Sequence, residues 1–318
     1  MVVRISKHTT RNIKVYKTNK RSGGIKKSPK SKITPISLID HSKSVKIDKP
    51  KPPVKTRNCE IIFNNSYKKI KEKILPEINT MNKKIVVYTC IVGNYDKLNE
   101  IKYQEENVDY VCFTDQPFTS HIWQIRPIPE ELNNLTHIKR QRYIKVNAHV
   151  FFKEYDFSVW VDGRVNIIGS IKNVINSLLF DKYKIHLPIH PDRICIYKEA
   201  DICKKLNKDN YKTIDEQILK YKQEKYPEKY GLVQTGILIR EHNNVICKNL
   251  MERWWCEIEQ HSHRDQLSFN YASWKLGIDF NYLDKNLFHS NTFSIGPHTN
   301  ISNVVKQDAK LTYKNFYN

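Results

Sequence analysis

The chain has 318 residues, 39% of them hydrophobic with 18 Tyr, 12 Phe and 5 Trp, enough apolar surface for a sizeable buried core. Its formal net charge of +21 first suggests a nucleic-acid binder, but residues 1–58 hold 17 Lys or Arg against 2 acids, leaving only +6 for the other 260 residues. The seven cysteines (59, 90, 112, 195, 203, 247 and 256) form no C-x-x-C pair and no His/Cys array with zinc spacing, so they read as reduced, structural thiols.

Segment 1–58 is rich in Lys, Ser, Thr and Pro and closes on Lys49-Pro50-Lys51-Pro52-Pro53, the composition of a disordered tail. It serves either as a solubilising leader or as an arm for nucleic acid or another anionic partner. Neither a secretory h-region nor a membrane-length apolar window is present, which points to a cytoplasmic or virion-associated protein; a transit peptide is the competing reading of the start. Residues 59–83 form a helical lead-in, with Ile70, Ile74 and Ile78 at helical spacing.

A single globular body is expected over 84–300, with 301–318 a short polar tail. It opens on an apolar strand, 85–92, that runs into Gly93-Asn94-Tyr95-Asp96. A second strand ends at Phe113-Thr114-Asp115. Residues 138–152 read as one amphipathic helix, with Ile144, Ala148 and Phe151 or Phe152 on one face and a basic stripe of Arg142, Lys145 and His149 on another. That stripe is either a solvated face or a holder for phosphate.

The central stretch is 155–168. Val159, Trp160 and Val161 make a strand end that delivers Asp162 into a turn opened by Gly163, followed by Arg164. In open α/β sheets ligands sit beyond the carboxyl ends of the strands, so Asp162 is a candidate functional acid, or else a turn cap. Ser170 caps a helix ending near Phe180. His186, His190, Asp192 and Arg193 lie in or just after the next strand. Thr213 to Glu216 reads as a capping box opening a helix that stops near Pro227. A strand over 231–240 carries Gln234, Thr235 and Gly236. The clearest helix, 243–260, ends in a cluster of polar residues, His261, His263, Arg264, Asp265 and Gln266, before a second amphipathic run. His261 and His263 have the spacing of a metal pair.

Taken together, Gly93-Asn94-Tyr95-Asp96, Phe113-Thr114-Asp115, Arg142 with Lys145, Trp160-Val161-Asp162-Gly163, His190 with Arg193 and Glu199, Gln234-Thr235-Gly236 and Arg264-Asp265-Gln266 resemble the glycosyltransferase-like domain of plant mucilage and turgor-regulation proteins, which has bacterial and viral relatives. The resemblance covers roughly residues 84–298. It implies a GT-A-like, Rossmann-type α/β/α sandwich with a mostly parallel mixed central sheet, and transfer of a sugar from a nucleotide-diphosphate sugar, UDP-sugar first, to a glycan, protein or other hydroxyl acceptor.

It further implies Asp265 and Asp162 as catalytic acids. Thr89, Asn94, Tyr95, Asp115, Arg142, Lys145, Asp162, Gly163, Arg164 and Gln266 fall on the nucleotide and donor side, and His190, Arg193, Gln234 and Thr235 on the acceptor side. A divalent cation, Mn²⁺ or Mg²⁺, would rest on Asp162 with His289, or with His298. The D-x-D element of GT-A enzymes is incomplete here, since Trp160 stands at its first acid, and Arg142, Lys145 and Arg164 are the alternative source of positive charge. Two other readings stay open: a metal-dependent hydrolase built from Asp162, His190, Asp192, His261, His263 and Asp265, and a non-catalytic binding protein whose basic tail engages nucleic acid.

Overall fold

A computed structural model describes residues 82–178 and 180–298. The basic tail, nearly all of the lead-in helix and the C-terminal tail lie outside the described residues. Nine strands and seven helices of more than one turn or so follow one another within them: β1 (Ile85–Ile91), β2 (Val108–Thr114), β3 (Gln124–Pro127), α1 (His137–Val146), α2 (Ala148–Phe151), β4 (Phe157–Val161), β5 (Val165–Ile167), α3 (Ile171–Asn176), β6 (Ile185–Pro188), α4 (Ile196–Lys205), α5 (Tyr211–Gln223), β7 (Ile237–Arg240), α6 (Val245–Gln260), α7 (Phe269–Leu276), β8 (Asn281–Leu283) and β9 (Phe293–Ile295).

Seven strands form one sheet in the order β3-β2-β1-β4-β7-β6-β8. Only β7 runs against its neighbours; the β1–β2, β1–β4, β2–β3 and β6–β8 pairs are parallel. This is the mixed, mostly parallel sheet of a Rossmann-type sandwich. β1 is buried along its whole length, as the continuous run Ile-Val-Val-Tyr-Thr-Cys-Ile requires of a central strand covered on both faces. One face carries Val86, Tyr88 and Trp160 against Ile144, Leu250 and Trp254 of α1 and α6. The other carries Val87, Val159 and Ile239 against Ile171 and Ile175 of α3 and Phe293 of β9. β5 and β9 pair as a separate two-stranded sheet, which ties the segment after Asp162 to the end of the described fold.

Three sequence expectations are corrected. The helix expected over 138–152 is two helices, because the carbonyls that end α1 are claimed by side chains from the sheet. The Lys145 carbonyl accepts from the Tyr88 hydroxyl at 2.5 Å and Arg240 Nη2 at 3.1 Å, and that of Val146 accepts from Arg240 Nη1 at 3.0 Å. α5 is capped by Asn210, whose side chain accepts from Thr213 N at 3.2 Å, so Thr213 sits inside the helix instead of capping it. The strand expected over 231–240 is regular only from Ile237. The preceding residues turn, with one isolated bridge from Val233 to Ile189. The cap at Ser170 forms as read, on a helix that ends at Asn176 and not near Phe180; the long helix forms as α6, and the structure shows Asn244 as its cap. All six cysteines among the described residues are free thiols, five of them buried.

Candidate active site

Because β1, β2, β4 and β6 point the same way and β7 opposes them, the ends of the first four and the entry to the last share one edge of the sheet. Asp162 follows the last residue of β4 there. Its backbone N–H donates to the Gly236 carbonyl at 2.9 Å, continuing the ladder by one step and bringing the two segments into contact. A Cβ at Gly236 would lie 3.0 Å from the Phe288 ring and 3.2 Å from Asp162 Oδ2, so the close approach needs a glycine.

Two acids and a lysine organise this edge. Lys145, near the end of α1, has a side chain only 1% exposed. Its Nζ lies 2.6 Å from Asp265 Oδ2 and 3.5 Å from Asp162 Oδ1. Asp265 is buried and saturated: Oδ2 also accepts from Thr235 Oγ1 at 3.0 Å and lies 3.5 Å from Arg142 Nε, while Oδ1 accepts from Gln266 N at 3.1 Å. Burial pulls its carboxyl pKa up, but the charges of Arg142, Lys145 and Arg264 overcome this and hold it well below the usual carboxylate range.

Asp162 is different. Its side chain is 35% exposed, its Oδ1 accepts from Trp160 Nε1 at 2.9 Å, and its Oδ2 accepts no hydrogen bond from the described residues. The tryptophan two residues before Asp162 therefore supplies a donor that aims the acid.

The remaining sequence candidates are spread along the same edge, in several roles. Asp115 buckles the β1 turn: its two oxygens accept from Gly93 N, both at 3.1 Å, and Oδ2 lies 3.3 Å from His137 Nδ1. Gly93 and Asn94 both adopt positive φ, +67° and +54°. Tyr95 is exposed and meets the His298 ring edge-on at 4.9 Å. Thr89 is buried and presents no surface to a ligand, with Oγ1 shielded and unbonded. Asn99 Nδ2 donates to the Gly163 carbonyl at 3.0 Å.

On the far side, Gln234 N donates to the Pro188 carbonyl at 2.8 Å, and Gln266 Nε2 to that of Val233 at 3.2 Å. The His190 ring is closed in by the backbone N–H groups of Asp192 and Arg193 on Nδ1 and by Arg193 Nη2, 3.1 Å from Nε2. Arg193 in turn binds the buried Glu199, and burial lowers the His190 pKa.

The basic stripe read on 138–152 divides. Arg142 and Lys145 turn inward to Asp265, whereas His149 lies 3.8 Å from Glu252 of α6, its pKa lowered to about 4 chiefly by burial.

The metal candidates do not converge. His298 Nδ1 binds Asp96 at 2.8 Å, and His289 is exposed and itself forms an isolated antiparallel bridge with Ser294. His261 lies against Glu257, and His263 against Asp209. Among the described residues no three His, Cys, Asp or Glu side chains gather as a metal set. At Asp162 the donors amount to one open carboxylate oxygen with the Lys145 ammonium beside the other, a poor fit to a hard divalent cation that wants several oxygens. Nor do the residues of the hydrolase reading meet around one point.

Two residues unremarked in the sequence complete the edge: Arg240 and Tyr88 fix the end of α1 and hence Lys145, while Asp96 of the Gly93–Asp96 motif anchors His298. A lone Arg closing the apolar run of β7 was the available signal for the first of these.

Comparison with known proteins supplies the family. The curated "Probable hexosyltransferase MUCI70" of Arabidopsis thaliana is 25% identical over 225 residues, 62% of this chain; the chain spans 38% of that relative's length. Among solved structures, the apo form of the bifunctional glycosyltransferase WbbM is similar at 11% identity and a TM-score of 0.40, covering 74% of this chain and 45% of its own. Mouse xyloside xylosyltransferase 1 is similar at 9% identity and a TM-score of 0.38, covering 64% of this chain and 85% of its own. No helix among the described residues is long and apolar enough to cross a membrane. The family model for the TOD1/MUCI70 glycosyltransferase-like domain matches residues 62–295, beginning inside the segment read as a lead-in helix, and the chain belongs to that family.

Proposed function

We propose that this protein is a GT-A-type glycosyltransferase that moves a hexosyl group from a nucleotide-diphosphate sugar, UDP-sugar first, to a hydroxyl of a glycan or protein acceptor. The observation that carries the reading is the Asp162–Lys145–Asp265 constellation at the sheet edge, in a chain whose family and curated relative are glycosyltransferase-like. In the transfer, the bond from the anomeric carbon to the diphosphate oxygen breaks, the acceptor oxygen bonds to that carbon and gives its hydroxyl proton to Asp162 Oδ2, and the nucleoside diphosphate leaves with the electron pair.

The side chains divide the work. Asp265, held ionised by its three cationic neighbours, is too weak a base to take a proton near neutral pH and instead fixes Lys145. Lys145 and Trp160 Nε1 hold Asp162 in one rotamer, so that its open Oδ2 is the group placed to accept a hydrogen bond from a reacting sugar hydroxyl. Thr235 and Gly236 form the opposite wall, with glycine admitting the donor close to Asp162.

The test is nucleotide release by the full chain from UDP-, GDP- and CDP-sugars, with and without oligosaccharide acceptors. Asp162→Asn is expected to lower turnover by about 10²–10³-fold, the size of a lost electrostatic contact to the transition state, without unfolding the protein. Folded protein that releases no nucleotide from any donor overturns the proposal.

A further inference from the structure

Three exposed apolar residues from three segments converge on one glycine beside His190 and Arg193. Gly231 has φ +97°, and a Cβ there would overlap the Tyr282 hydroxyl of β8. Its N–H donates to the carbonyl of Ile194, the residue after Arg193, at 3.0 Å. Tyr230 precedes it in the chain and meets the buried Tyr226 ring edge-on, with centroids 5.6 Å apart. Yet Ile194, Tyr230 and Tyr282 remain 51%, 49% and 39% exposed.

The Tyr282 ring is held in place. Its hydroxyl accepts from Asn270 Nδ2 at 2.7 Å, and its ring lies 4.7 Å from that of Phe280. Asn270 is buried, and its Oδ1 accepts from Val233 N at 3.2 Å, so the ring is tied to the segment that leads to Gly236. The proton of the Tyr282 hydroxyl has no acceptor among the described residues.

This surface continues into the edge that carries Asp162. β8 runs parallel to β6, so both strands finish there, and Ile189 N donates to the Leu283 carbonyl at 2.9 Å. From Gly231 the chain follows the end of β6, where Gln234 N donates to the Pro188 carbonyl, as far as Gly236, whose carbonyl accepts from Asp162 N. The backbone from Gly231 to Gly236 spans at most about 18 Å.

We infer that Tyr282 and Tyr230 form a platform for the distal sugars of an oligosaccharide acceptor, an inference that rests on the proposed glycosyl transfer. A pyranose has an apolar C–H face and a hydroxyl-bearing rim, and a tyrosine ring with a polar tip matches both. A ring fixed before binding loses little freedom on contact. Three exposed side chains are too few for a stable protein interface, which takes about 800 Å² from each partner. A chain of several sugars reaches from Asp162 to this patch, and a single sugar does not.

The probes are cellotetraose, xylotetraose and mannotetraose with the matching monosaccharides, each titrated calorimetrically into the full chain. At least one tetramer binds, about tenfold or more tightly than its monosaccharide. Tyr230→Ala and Tyr282→Ala each weaken it about tenfold, the scale of one aromatic contact. Tyr103→Ala removes an exposed tyrosine from the segment leading into β2, a strand about 24 Å from β8 across the sheet, and binds as wild type. If loss of the Asn270 bond unfolds Tyr282→Ala, Tyr230→Ala decides the matter.

Tetramers that do not bind at millimolar concentration, that bind no tighter than the monosaccharides, or that bind both variants as tightly as wild type overturn the platform. So does self-association of the protein that Tyr230→Ala abolishes. Tetramer binding lost in the variants, without nucleotide release from any donor, leaves the platform standing and defeats the transferase; nucleotide release without tetramer binding does the reverse.

Discussion

Replacing Lys145 by Met tests whether the buried acid–lysine pair is what fixes the site. Nζ sits 2.6 Å from an Asp265 carboxylate that is itself buried, so the substitution leaves a charge with Arg142 Nε at 3.5 Å and the Thr235 hydroxyl as remaining partners on that oxygen. Breaking a buried pair from one side costs about 3–5 kcal/mol, and the surviving partners place this case near about 3. In a domain of this size each kcal/mol lowers the melting point by about 2–4 °C, so a fall of about 6–12 °C is expected.

The sign of the pH dependence is fixed by Asp265. Its folded pKa is depressed, so in the wild type its contribution is fully present above the ordinary carboxyl value and is lost as pH falls through the depressed one. In the variant one cause of the depression is gone while burial still raises the pKa. Mild acid then relieves part of the penalty, and the gap to wild type narrows between pH 7.5 and pH 5. Urea unfolding at both values measures this. A second arm, Lys145→Met with Asp265→Asn, removes the stranded charge and should regain at least about 1 kcal/mol over the single variant. A single variant within about 1 kcal/mol of wild type, a gap that widens in acid, or no recovery in the double variant would refute the reasoning.

Gly236→Ala places a methyl 3.0 Å from the Phe288 ring and 3.2 Å from Asp162 Oδ2. It should cost about 1–3 kcal/mol of stability in a denaturant titration and reduce nucleotide release more than the melting point alone explains. Arg240→Met strips donors from the carbonyls of Lys145 and Val146, buried at the end of α1. A loss of about 2–4 kcal/mol is expected by the same titration, with Arg240→Lys recovering a part of it.

How far the site could be read from the sequence depended on how local each relation was. Asp162 was legible because everything that presents it is contiguous: a β-branched and aromatic strand end, the acid, then a glycine. Lys145 was legible as a basic residue at helical spacing from Arg142, but its partner Asp265 is 120 positions away. Helical period cannot say whether a cation faces water or a distant acid. The capping box at Thr213 misled because Asn210, three residues earlier, starts the helix by accepting from the N–H of Thr213 itself. The metal candidates shared a residue type but not a location, since His190, His261, His263 and His298 are each claimed by a neighbouring acid or arginine.

The sequence by itself determined the layered α/β class, the strand that ends in Asp162, the long α6 and the family, because apolar periodicity, capping residues and short motifs are properties of neighbouring residues. Only the tertiary structure decided that Asp265 is a sealed partner of Lys145 and that Asp162 keeps one free oxygen. Those facts depend on which side chains from distant turns arrive at one edge of the sheet. Charges whose attraction decays within about a Debye length in water, about 8–10 Å, carry no mark of that meeting in the linear chain.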